Sequence, residues 1–396
     1  MQALVIAHAS YGHNSFFKNN YMFRTWTDAG SIIDYMLFAR KFIADCEQRH
    51  GVDEVERVLD ACHALMMHGV DRYKRPYPIS LQEEKQRQLE REELLQRQVN
   101  DLWRTIPTPD ADGGVSEERR FPEEPQENIL YFLEKNAPLL EPWQREVIRI
   151  VRKIAQYLYP QRQTKVMNEG WACFWHFNIL HELYSEGLVT DGFMLEFLQS
   201  HTSVIYQPSF DSPHYSGINP YTLGYAMMQD LKRVCTDPTE EDYAWFPDIA
   251  GTPWRKTLEF AMRDFKDESF ILQFLSPQLI RELKLFCVLD DSEQEYLEVS
   301  AIHNERGYQA IREDLSGNYN LGNLEPSIQV YNVNVRGDRS LTLRHDMHQG
   351  RPLDNENATE VVRHLQQLWG FDVILESVAG DRVVNRIVHS ELSRAG

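Results

Sequence analysis

Apolar residues along the first 70 positions recur at helical spacing. Over 31–49, Ile32, Ile33, Tyr35, Met36, Phe38, Ala39, Phe42 and Ile43 form one broad face. Over 53–68, Val55, Val58, Leu59, Cys62, Leu65 and Met66 do the same, and Gly69 is a stop signal. The stretch 81–104 reads differently. Glu, Gln, Lys and Arg dominate it and Leu is sparse, which predicts a long solvated helix laced with charge pairs, opened by a Ser80/Glu83 capping box. Pro107 and Pro109 end it, and 108–125 is a linker rich in Pro, Gly, Asp and Glu. Helical periodicity returns over 126–136, 143–159, 166–186, 191–200, 220–235, 254–265 and 267–275.

Beyond Pro277 the period shortens. Residues 296–302 read as a strand and 305–315 as a helix. Residues 327–335 and 340–345 alternate around the turn Arg336-Gly337-Asp338-Arg339. Residues 357–369 make an amphipathic helix, and 371–378 a closing strand. The order strand, helix, strand, strand, helix, strand predicts a ferredoxin-like split βαβ sheet, with a cystatin-like wrap as the alternative. The fold class is therefore a mainly α N-terminal region followed by a C-terminal α+β domain. The divisions fall at 1–106 (helical, with the charged helix), 107–126 (linker), 127–278 (a second helical domain) and 279–396 (α+β).

Composition narrows the function classes. The chain has 396 residues, 60 acidic against 41 basic, and a formal charge of −19, which argues against a general nucleic-acid binder. No run approaches the ~20 apolar residues of a membrane span, and the apolar start at Leu4 meets His8 too soon for a signal peptide. Five scattered cysteines with no CxxC pair point to a reduced, cytoplasmic protein.

The chemistry-bearing residues concentrate in three places. Glu169 and His176 lie two helical turns apart on an otherwise apolar face, where a carboxylate needs a partner, either a metal ion or a structural His or Arg. His8 and His13 are five apart. An ideal α-helix turns about 140° between such positions, so both reach one ion only through a π-bulge, or if Gly12 ends the helix. Together His8, His13, Glu169 and His176 make a donor set suited to a divalent metal, zinc first, with iron or manganese as alternatives. His201 precedes a Pro-rich loop as a supporting residue. In that loop and the helix after it, Tyr215 and Tyr221 are candidates to polarise a substrate oxygen, while Asn219 and Pro220 read as a helix cap. No HExxH, P-loop or GxSxG motif is present.

At these residues the chain resembles a known family. The blocks HASYGHNSFFKNNYMFR (8–24), MNEGWACFWH (167–176), SPHYSGINPYTLGYAM (212–227), FPDIAG (246–251) and MRDFKDESFILQFLSP (262–277) closely resemble the SpoVR family, stage V sporulation protein R, in the form found in non-sporulating Gram-negative bacteria. The resemblance implies a bacterial cytoplasmic protein tied to spore cortex formation or to a stationary-phase or stress response. It also implies two partners, a PrkA-type serine protein kinase and a von Willebrand A-like protein. Family members usually carry a further segment ahead of the histidine motif, so the resemblance implies that this chain lacks it. A weaker likeness links Asn168-Glu169-Gly170-Trp171-Ala172 to the NEGFA-type helix of gluzincin aminopeptidases. There the Glu is a zinc ligand, which implies a zincin-like N-terminal region with Glu169 as ligand or base and His8 and His13 in place of the missing HExxH. Two functions follow as expectations: a metal-dependent hydrolase of peptide or amide bonds, and a non-enzymatic adaptor for the two partners.

Overall fold

The computed structural model describes residues 2–72, 121–122, 124–289, 298–301 and 304–390. The charged helix expected over 80–104 and most of the linker lie outside these residues. The chain opens with α1 (Gln2–Val5), a π-helix (Ile6–His13), α2 (Asn14–Asn19), α3 (Tyr21–Trp26), α4 (Ala29–His50) and α5 (Val52–Ala64). After 124 come α6 (Ile129–Asn136), α7 (Pro142–Gln163), α8 (Lys165–Ser185), α9 (Asp191–Val204), α10 (Pro220–Thr236), α11 (Glu240–Trp245), α12 (Trp254–Asp264), α13 (Asp267–Phe274) and α14 (Pro277–Glu282). Then follow β1 (Cys287–Leu289), β2 (Glu298–Ala301), α15 (Glu305–Gly317), α16 (Leu321–Leu324), β3 (Ser327–Val333), β4 (Leu341–Asp346), α17 (Asn355–Trp369), β5 (Val373–Ala379) and β6 (Arg382–His389).

Local chemistry explains where these helices start. Asn219 accepts the Tyr221 amide with Pro220 at the first helical position of α10, as its sequence predicts. The start of α8 has no cap of its own. Asp267, from the first turn of α13, supplies it by accepting the Val166 and Met167 amides at 2.8 Å each. Burial pushes the Asp267 carboxyl up to about 7, against the pull of those amides. On α4 the expected broad face narrows to a stripe. Ala39 and Cys46 are buried, while Ile33, Met36, Leu37 and Phe38 are exposed among the described residues.

Two cores organise the molecule. One is rich in aromatic residues and methionine and joins α2, α3, α8, α10, α12, α13 and α15. The other is mainly aliphatic and packs α5, α6 and α7 against α17 and the four-stranded sheet. That sheet has the order β3-β4-β5-β6, with β4 and β5 parallel across the α17 crossover and the outer pairs antiparallel. Both the ferredoxin-like and the cystatin-like expectations need correction. The strand expected over 296–302 pairs instead with β1 in a separate two-stranded sheet. The helix after it, α15, buries Tyr308, Ile311 and Leu315 in the aromatic core, which holds that strand away from the main sheet. Its fourth place is taken by β6, which turns back on β5 through Gly380, a glycine at φ 62.

Candidate metal centre

The π-helix and α8 carry the site. The π-helix hydrogen-bonding pattern joins residues five apart, and the Asn14 amide bonds the Ala9 carbonyl in this way. It therefore meets the condition that the His8/His13 spacing sets, and the two rings sit 4.6 Å apart, edge to face. The π-helix lies tight on α8 because Gly12 has no side chain. A Cβ there would stand 2.7 Å from the Ala172 Cα. On its other side α8 meets α10 at Gly170 and Gly224, where a Cβ on Gly170 would come 2.4 Å from the Gly224 carbonyl carbon. These small residues let the backbones approach closely enough for short polar side chains to meet between them.

Each histidine of the π-helix has its Nδ1 engaged. His13 Nδ1 donates to Asn168 Oδ1 at 2.8 Å, and His8 Nδ1 faces His176 Nδ1 at 2.9 Å. Each keeps Nε2 for another partner. His13 Nε2 lies 3.6 Å from Glu169 Oε2. Metal–nitrogen bonds of about 2.0–2.1 Å hold neighbouring donors about 2.9–3.4 Å apart, so the 3.6 Å between His13 and Glu169 is slightly wider than the spacing of two ligands on one ion. Donor atoms of His8, His13 and Glu169 all lie within 4.8 Å of one another, as do those of His8, Cys173 and His176. His8 belongs to both groups. Glu169 has no Lys or Arg at ion-pair distance among the described residues, and it lies close enough to the Tyr221 phenol to raise its pKa.

The electrostatics suit a cation. Burial, and then His13, lower the pKa of His8 to about 4. Burial, and then His201, His8 and His13, lower that of His176 to about 3. Both rings are therefore neutral at pH 7, with a lone pair to offer. Burial, and then Glu169, push the Cys173 thiol up to about 12, which makes it the weaker donor of the cluster. Burial, and then Glu169, also raise the Tyr221 phenol, so it stays a hydrogen-bond donor. Behind the first histidines, His176 Nε2 meets His201 Nδ1 at 2.8 Å, and the buried His201 Nε2 has no hydrogen-bond partner. Burial lowers His201 to about 4 as well.

The structure thus brings together His8, His13, Glu169, His176 and Tyr221. Tyr215 lies elsewhere, its ring packed on Phe210, which in turn packs on Phe286. Sequence reasoning missed Asn168 and Cys173 as members of the cluster. Asn168 sits on the helical motif already singled out, and its signal was its place beside Glu169. Cys173 lies one turn beyond Glu169, on the same face as the carboxylate. A cavity of about 480 Å³ has Asn168 and Glu169 in its wall. A second, of about 440 Å³, is lined by α16, His68 and His345 and does not include the cluster.

Comparisons with known proteins cover both parts of the chain. A family model described as "SpoVR like protein" matches residues 1–324, which hold the whole cluster, and one described as "SpoVR-like C-terminal domain" matches residues 326–380. The chain is 68% identical over 376 residues to "Uncharacterized protein YcgB" of Escherichia coli (strain K12), covering 95% of this chain and 74% of that one. No solved structure matches. With the family models spanning nearly all of the chain, the protein belongs to the SpoVR family.

Proposed function

We propose that the chain is a metal-dependent hydrolase of amide bonds, with His8, His13 and Glu169 as metal ligands. The carrying observation is the π-helix, which turns histidines five apart toward one carboxylate. Two imidazoles and a carboxylate leave one position open, the donor set of catalytic rather than structural zinc sites. Zinc fits these donors best, with iron or manganese as alternatives. An ion held there would supply an activated water and polarise a carbonyl. His13 is oriented by Asn168, His8 by His176, and Glu169 by Tyr221, the outer-sphere support that ligating groups require. Tyr221 is also the group placed to donate to a substrate oxygen. The resemblance to zincins rests on the 168–172 string and the donor set, and the histidines come from a π-helix and not from HExxH. Incubating the zinc-loaded protein with a mixed peptide pool and following new amino termini tests the reading. Release that disappears in Glu169→Ala is expected, and no release with any of the three metals would overturn the hydrolase assignment.

One observation favours a second reading, an adaptor for a PrkA-type kinase and a von Willebrand A-like protein. The exposed Ile33, Met36 and Leu37, three and four apart, share an apolar face on α4. On this reading Leu37→Asp abolishes co-purification of both partners while the metal stays bound, and unchanged co-purification would count against it. Spore cortex, stationary-phase and stress roles, and a cytoplasmic location, belong to the same family-based proposal. Among the described residues, no helix is long and apolar enough to cross a membrane.

A further inference from the structure

The cavity beside Glu169 has a charge pattern of its own. Met66, Val70, Leu158 and Tyr159 give it an apolar wall. Its charged lining is Arg162 and Lys165 against Glu169 alone, a local reversal in a chain of net charge −19. The two cations differ. Arg162 is engaged, with its NH1 at 2.7 Å from Glu325 Oε1 and 2.9 Å from Met67 Sδ. Lys165 is exposed and has no ion pair among the described residues. Lys165 and Glu169 are four apart on α8, so they share a face with Cβ atoms about 5–6 Å apart. That is less than the span of two extended residues at about 3.5 Å each.

We propose that this cavity binds an acyl or peptidyl substrate that carries a free carboxylate, held by Lys165 one or two residues from the amide bond presented at Glu169. The apolar wall takes the acyl or side-chain portion, and the ammonium selects the terminal anion. This substrate class rests on the hydrolase reading above, but the binding itself needs only the cavity and Lys165. An ester or primary amide in place of the carboxylate leaves Lys165 without its partner, and the apolar wall cannot tell the three apart.

The test is calorimetric titration of N-hexanoyl-L-alanine, its methyl ester and its primary amide into the full chain, both zinc-loaded and chelator-stripped. In the stripped protein the free acid is expected to bind at least tenfold more tightly than the ester or the amide. Lys165→Met should bring the three within about twofold of one another, and Lys165→Arg should restore the preference. Metal content in both variants should match the parent. Equal binding of the three probes by the parent, no measurable binding, or a preference that survives Lys165→Met overturns the proposal. An intact carboxylate preference in a protein that takes up no metal would overturn the hydrolase reading and leave this binding site standing.

Discussion

Two glutamates, one buried on α6 and one half-buried on α8, show how differently this molecule treats a carboxylate drawn away from water. Glu134, on α6, is 3% exposed and lies within 3.2 Å of Lys135, 3.0 Å of Arg149 and 3.1 Å of Arg152. Burial pushes its carboxyl up, but the three cations outweigh that and hold it below the usual range. Glu169, on α8, has a histidine and a tyrosine beside it and, among the described residues, no Lys or Arg at ion-pair distance. The first arrangement is closed. Every charge is answered within the chain, and the aliphatic core it borders joins helices to a sheet. The second is open. Imidazoles and a carboxylate converge, and a further buried nitrogen, His201 Nε2, is left over. A fold can bury a charge for structure by supplying countercharges. Leaving them out is costly, and the arrangement makes sense if the countercharge comes from outside.

Four substitutions, with Cys173→Ser as a control, sharpen that contrast. The largest effect is expected from Gly170→Ala, which forces a methyl group into the Gly224 backbone. A loss of about 3 kcal/mol is expected, together with loss of metal, because α8 and α10 must separate. Chemical denaturation and metal analysis of the same sample check both. Next, Glu134→Ala leaves three cations facing a buried gap. Stability should fall by about 2–3 kcal/mol, less than for a fully buried pair because Arg149 and Lys135 reach water, while metal content stays unchanged. Third, Glu169→Ala should move stability by less than about 1 kcal/mol yet abolish metal uptake. Cys173→Ser, in the competing donor group, should leave uptake intact. A reversed pattern would move the ion to the His8, Cys173 and His176 side. The smallest effect is expected from His176→Ala, which removes the support behind His8 but not a ligand. Zinc affinity should weaken by about 10–100-fold without vanishing, as read by competition with a coloured chelator.

Much of the helical framework was legible because its signals are local. Asn219 and Pro220 start α10 where the cap predicts, and Val55, Val58, Cys62 and Leu65 face inward as their spacing requires. The strand β6 was missed because its residues are mostly exposed and lack a clear alternation. The sheet order was misjudged because α15 belongs to the other core, a long-range fact that no local pattern carries. At the site, the i,i+5 histidines state their own condition, a π-turn, and the structure meets it. What spacing cannot reveal is the pairing of His13 with Asn168, 155 residues away, or of His176 with His201 on another helix. The first of those contacts depends on the close approach of the π-helix to α8 at Gly12, which a single sequence shows only as one more glycine.

Metal content of the purified full chain, beside a folded His8→Ala/His13→Ala variant and Glu134→Gln, bears most directly on the central claim. The expected result is about one divalent ion per chain in the parent and in Glu134→Gln, with almost none in the double histidine variant. Equal metal in all three proteins, or none in a parent prepared without chelator, would contradict it and make the histidine cluster as structural as the cations around Glu134.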